Sequence, residues 1–136
     1  MNIKFAEYDV VLEVDKLPSG SLIRTPHNIY LPNLRVLSRN VELRAGRYIA
    51  LCNLQKIDPP VTLVAGGMIE MKRLERVSDG TVIESDDFIY LPSLAYSTGK
   101  VILRAKRGIN LMGLEGPLPG MEITAERVFY KRSRKL

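Results

Sequence analysis

Glu7, His27 and Arg47 stand at intervals of twenty residues. A carboxylate, an imidazole and a guanidinium brought into one line could move protons for a bound substrate. The chain has one histidine and one cysteine, Cys52. That leaves no basis for a metal site built from histidines or cysteines, and no internal disulfide. No glycine-rich phosphate loop leads from a strand into a helix, so Gly66 with Gly67, and Gly116 with Gly120, read as turn glycines. No cofactor is expected. Whether the three aligned residues can meet depends on the element that repeats every twenty residues.

The stretch VELRAGRYIAL at residues 41–51 returns as VTLVAGGMIEM at 61–71 and as VILRAKRGINL at 101–111. Writing the whole chain in rows of twenty, with no gap, aligns Ile3, Ile23, Leu43, Leu63, Ile83, Leu103 and Ile123 at position 3. Position 9 holds Ile29, Ile49, Ile69, Ile89, Ile109 and Phe129, and position 11 holds Val11, Leu31, Leu51, Met71, Leu91 and Leu111. Position 14 is aliphatic from Val14 to Leu114, and position 5 is mostly small. A fixed period of this length marks a solenoid, in which each turn buries its apolar face against its neighbours.

Inward positions 1, 3 and 5, then 9 and 11, are spaced by two, which is the period of a strand. Helical repeats need longer periods and apolar spacings of three and four throughout. Here only positions 11, 14 and 17 have that spacing, and they span a bend. Gly46, Gly66 and Gly67 mark a first corner, Pro32 and Pro92 with Asn33 and Asn53 a second, and Gly20, Gly80 and Gly120 a third. The first corner near Gly66 is expected to accept extra residues. An asparagine ladder of the leucine-rich kind is absent, because Asn40 shares its position with Gly20, Pro60, Gly80, Lys100 and Gly120.

On these columns, the GRYIAL and KRGINL turns and the lack of insertions, the chain resembles parallel β-helix (β-solenoid) repeat proteins. The expected fold is all-β, a single-domain solenoid over residues 1–136 with about seven turns of twenty residues and a roughly triangular cross-section. Right-handed coiling is the default for parallel crossovers. At about 4.8 Å per strand the rod is on the order of 30 Å long.

Large β-helix enzymes that act on polysaccharides stack carboxylates and basic residues on successive turns, as Glu7, His27 and Arg47 would be. An ion-paired ladder at a corner accounts for them without a substrate, and no insertion is available to build a cleft. No catalytic residue is expected, and the chain is read as a non-enzyme.

Positions 8 and 10 alternate with inward 9 and 11, so they point outward. They carry Tyr8, Tyr30, Tyr48, Met68, Phe88, Tyr90 and Tyr130, which include six of the nine aromatic residues. Exposed aromatic patches mark interaction surfaces. Three readings stay open for this stripe: cross-strand stacking that stabilises the sheet, self-association, or sugar stacking. A second outward set, Lys4, Arg24, Arg44, Arg47, Arg104, Arg107 and Arg127, forms a basic face that Glu84, Asp86 and Asp87 interrupt. It reads as a solvated face, and nucleic acid is not an expected partner.

The 136 residues are 46% hydrophobic and 26% charged, as in soluble globular proteins, and the net charge of +5 owes part of its excess to the KRSRKL tail. Neither a signal segment nor a membrane span is legible, so synthesis in the cytoplasm is expected, with a virion as a destination and no membrane partner. The first row reads as Ile3, Phe5, Val11, Val14 and Leu17 facing inward, an uncovered end suited to docking. In the last row Lys131 and Arg134 at core positions read as a charged cap.

Short uninterrupted solenoids of this kind are similar to decoration and accessory proteins of virus particles, and to bactofilins, which polymerise through their ends. The resemblance implies a structural protein that forms homo-oligomers or docks on other structural proteins. A bactofilin-like polymer and a glycan-binding module are the alternatives.

Overall fold

The computed structural model describes residues 3–132, and for Ile3 the backbone alone. Three parallel sheets wrap around one apolar core, giving the triangular cross-section. The first face stacks β1 (Ile3–Phe5), β3 (Leu22–Thr25), β6 (Val41–Ala45), β9 (Val61–Ala65), β12 (Thr81–Ser85), β15 (Val101–Ala105) and β17 (Met121–Thr124). The second stacks β2 (Val10–Val11), β4 (Ile29–Tyr30), β7 (Ile49–Ala50), β10 (Ile69–Glu70), β13 (Phe88–Tyr90), β16 (Gly108–Leu111) and β18 (Arg127–Tyr130). The third face has four strands: β5 (Val36–Leu37), β8 (Lys56–Ile57), β11 (Arg76–Ser78) and β14 (Tyr96–Thr98). The solenoid has about six turns rather than seven, and among the described residues its first, sixth and last rows supply strands to the first two faces only.

Burial follows the strand period. Val41, Leu43, Ala45, Ile49, Leu51, Leu54 and Ile57 are all buried, and the next row repeats the pattern from Val61 to Val77. The step of three between positions 11 and 14 is a β-turn made five times over. The amides of Leu34, Leu54, Leu74, Leu94 and Leu114 donate to the carbonyls of Leu31, Leu51, Met71, Leu91 and Leu111. At the third corner Gly20, Gly80 and Gly120 have positive φ, and Asn40 joins them at φ 61°, a conformation asparagine tolerates better than most side chains.

Hydroxyls that replace alanine or valine at inward positions are satisfied by backbone carbonyls. Thr81 Oγ1 donates to Ser78 O at 2.8 Å, Ser85 Oγ to Gly67 O at 2.7 Å, and Thr25 Oγ1 to Tyr8 O. Ser97 differs: its hydroxyl is buried beneath the third face with no hydrogen-bond partner among the described residues.

Two rows are out of register with the twenty-residue frame. Val10 pairs with Ile29 and Phe5 with Arg24, an offset of nineteen. Val10 is therefore the buried residue of β2, while Phe5, Val11 and Val14 are exposed at 65%, 56% and 36%, contrary to the inward placing of all three. Leu17 is buried as expected. In the last row Ile123 keeps the offset of twenty against Leu103, but Val128 pairs with Ile109 and Tyr130 with Leu111, so the first corner there is one residue shorter. Val128 and Tyr130 pack on the core, Phe129 is 40% exposed instead of inward, and Lys131 lies outside the core column. Arg134 and Lys135 of the expected cap lie outside the described residues.

Candidate functional site

The outer side of the second face is set by strand pairing. Val11, Tyr30, Ala50, Glu70, Tyr90, Asn110 and Phe129 form one continuous outward column across seven strands. Tyr48, Met68 and Phe88 flank it two residues earlier in their rows. Tyr8 precedes β2 and is 76% exposed. The register shift removes Tyr130 from the stripe, because its partner Leu111 is an inward residue, and puts Phe129 in its place. The offset of nineteen likewise sets Tyr8 level with His27 and Asp9 level with Asn28, so Tyr8 also leaves the stripe, which keeps five aromatic side chains: Tyr30, Tyr48, Phe88, Tyr90 and Phe129.

These side chains are held in two different ways. Phe88 lies over Gly108 of the next turn, where an added Cβ would come within 2.7 Å of its ring, and stacks on Phe129 with centroids 5.9 Å apart and planes at 23°. Tyr48 leans over Gly67 in the same manner, with Cδ1 3.2 Å from where a Cβ would stand. A glycine one turn up thus makes room for a ring and fixes its orientation. Around Ala50 nothing fills the space. Tyr30, Tyr48, Ile49, Ala50, Met68 and Glu70 line a notch of about 240 Å³, apolar except for Glu70 and the tyrosine hydroxyls. Glu70 makes no ion pair among the described residues. Alternation finds the stripe, but the notch is missed unless the small residue at 50 is read against its neighbours one turn away.

Three of the seven residues of the basic face are paired with acidic neighbours. Arg44 Nε sits 2.7 Å from Glu42 Oε2, Arg104 Nη1 3.0 Å from Glu84 Oε1, and Arg107 Nε 3.7 Å from Asp87 Oδ1. Lys4 is exposed, but its partner is the inward Ile23, so Phe5 takes the outward place next to Arg24. Arg24, Arg47 and Arg127 are exposed, and Arg127 pairs with Gly108 instead of aligning with Arg107. Two of the three acids read in sequence as an interruption, Glu84 and Asp87, are thus ion-pair partners of the next turn.

Glu7, His27 and Arg47 are not brought together. The offset of nineteen carries Glu7 out of line with His27. What joins His27 and Arg47 is the main chain, the amide of Arg47 donating to the carbonyl of His27 at 2.9 Å. Among the described residues no group of three or more histidine, cysteine, aspartate or glutamate side chains is placed to hold a metal ion, and Cys52 is half-buried at the second corner. No helix is long and apolar enough to cross a membrane. Compared with known proteins, the chain matches no family model, no curated relative and no solved structure.

Proposed function

We propose that this solenoid is a non-enzymatic assembly protein that self-associates through the outer side of its second face, in the role of a decoration or accessory subunit of a virus particle. The observation that carries the reading is the stripe of five outward aromatics on a backbone-stacked sheet, with Tyr48 strongly exposed. Rigid aromatic side chains give large contact area at little entropic cost, and they are enriched at interfaces. The self-packing of Phe88 on Phe129 accounts for part of the stripe without a partner, so the docking role falls on Tyr30, Tyr48 and Tyr90.

Sedimentation tests this directly. The wild-type chain is expected to be a homo-oligomer, and Tyr30→Ser with Tyr90→Ser is expected to dissociate it while far-UV circular dichroism stays unchanged. A tyrosine buried at an interface centre costs about 2 kcal/mol or more when truncated, which is roughly thirtyfold in affinity. A monomeric wild type, or a variant of unchanged mass, overturns the reading.

A further inference from the structure

The notch over Ala50 has a specific chemistry that the strand register defines. Ala50 pairs with Tyr30 on one side and with Glu70 on the other, so an object resting on its methyl group is one turn from an aromatic ring and one turn from a carboxylate. Both relations occur elsewhere in this chain, each with an arginine in place. Arg76 pairs with Tyr96, and its guanidinium carbon lies 4.8 Å from the ring centroid. Arg104 pairs with Glu84, and the ion pair closes at 3.0 Å. Over Ala50 the ring and the carboxylate are present without a cation. The backbones of Tyr30 and Glu70 stand roughly 10 Å apart, two strand spacings, so a compact cation over Ala50 is one spacing from each, on the scale of the about 6 Å within which an aromatic face attracts it.

We infer that this notch binds an alkylammonium group. Tyr48 and Met68 supply the side walls, polarizable groups that tolerate the methyl or methylene surface of such a cation. A neutral apolar guest would strip water from Glu70 and return nothing to it. A hexose would meet only the two tyrosine hydroxyls and one carboxylate, and most of its own hydroxyls would go unpaired. The inference rests on side-chain placement within one chain and does not require the assembly reading.

The test is titration of the isotope-labelled full chain, followed by amide shifts. The probes are tetramethylammonium, butylammonium, tert-butanol and glucose at constant ionic strength. Saturable shifts at Tyr30, Ala50 and Glu70 are expected with either ammonium ion, and none with tert-butanol. Tighter binding of tetramethylammonium points to a free quaternary cation, and tighter binding of butylammonium to a lysine side chain. Glu70→Gln should weaken binding about tenfold, since it removes the charge and keeps the shape. Ala50→Leu should abolish binding by filling the notch. Ala50→Arg should abolish it too and raise the urea midpoint above that of Ala50→Gln, because the chain then carries its own cation between Tyr30 and Glu70. Equal shifts with tert-butanol, a preference for glucose, or unchanged binding in Glu70→Gln each overturn the inference. Ammonium binding by a strictly monomeric chain would leave the notch standing and remove the assembly proposal. Because Tyr30 and Tyr48 belong to both sites, the titration is repeated on Tyr90→Ser, and a chain that this change dissociates and that still takes up no probe would do the reverse.

Discussion

Gly66→Ala is expected to be among the most damaging single-methyl additions to this chain. A Cβ on Gly66 would lie 2.2 Å from the carbonyl oxygen of Gly46 on the preceding turn, and a Cβ on Gly46 would lie 2.1 Å from that of Pro26. Gly66 does not have the left-handed φ that disfavours other residues, so its backbone would accept alanine and the whole cost is contact. Relief requires the turns to separate by several tenths of an ångström. The amides of Gly66 and Gly67 donate across the same gap at 3.0 and 2.7 Å, to Ala45 and Arg47. Losing one or two of these bonds costs about 2 to 4 kcal/mol. Gly116→Ala is the matched control. Its Cβ meets nothing within 4 Å, so the change should be neutral or stabilise by up to about 1 kcal/mol through the unfolded chain. Equilibrium urea unfolding followed by circular dichroism measures both. Equal midpoints for the two variants would refute the close stacking of the first corner.

Ile69→Ala and Leu103→Ala remove fully buried groups and should each cost about 2 to 5 kcal/mol by urea unfolding; losses under about 0.5 kcal/mol would mean that they face solvent. One residue inserted after Leu43 turns the rest of β6 inside out and should unfold the chain, whereas two glycines after Gly116 should be tolerated; equal loss of circular dichroism would refute the register. Ser97→Val replaces an unpartnered buried hydroxyl with the residue type that its strand neighbour Val77 already has, and should raise stability by about 1 kcal/mol; a lower midpoint would show that the hydroxyl has a partner.

The core was legible because a period of two inside a period of twenty leaves few alternatives in the middle rows. At both ends the frame failed, and the failures had visible causes. Asp9 stands at an inward position of the first row, and Lys131 at one of the last. Both look like end effects, but moving the first row, and the second strand of the last row, by one residue brings Val10 and Tyr130 to those positions, as the pairing shows. Hydrophobicity alone does not decide the matter, because Val10 and Val11, and Val128, Phe129 and Tyr130, are apolar on both sides of the slip. A single slip exchanges inside for outside, which is why Phe5, Val11 and Phe129 changed faces together. The first corner was misread for a related reason. Glycine there reads as a loose bend, whereas at Gly46 and Gly66 it marks the closest approach of two backbones.

A repeat explains what every turn shares, and a site lies where turns differ. The outward column of the second face is the same backbone seven times over, yet its rings behave according to the residue one turn away. Gly108 lets Phe88 lie flat and meet Phe129, while Ala50 leaves Tyr30 and Glu70 facing an open gap. Row alignment averages over such differences, because it rewards what is constant down a column. Reading each residue against its two neighbours along the solenoid axis recovers them, and it does so without coordinates once the register is known. On that reading the aromatic column divides into a part that stabilises itself and a part whose surface is left for something else to cover.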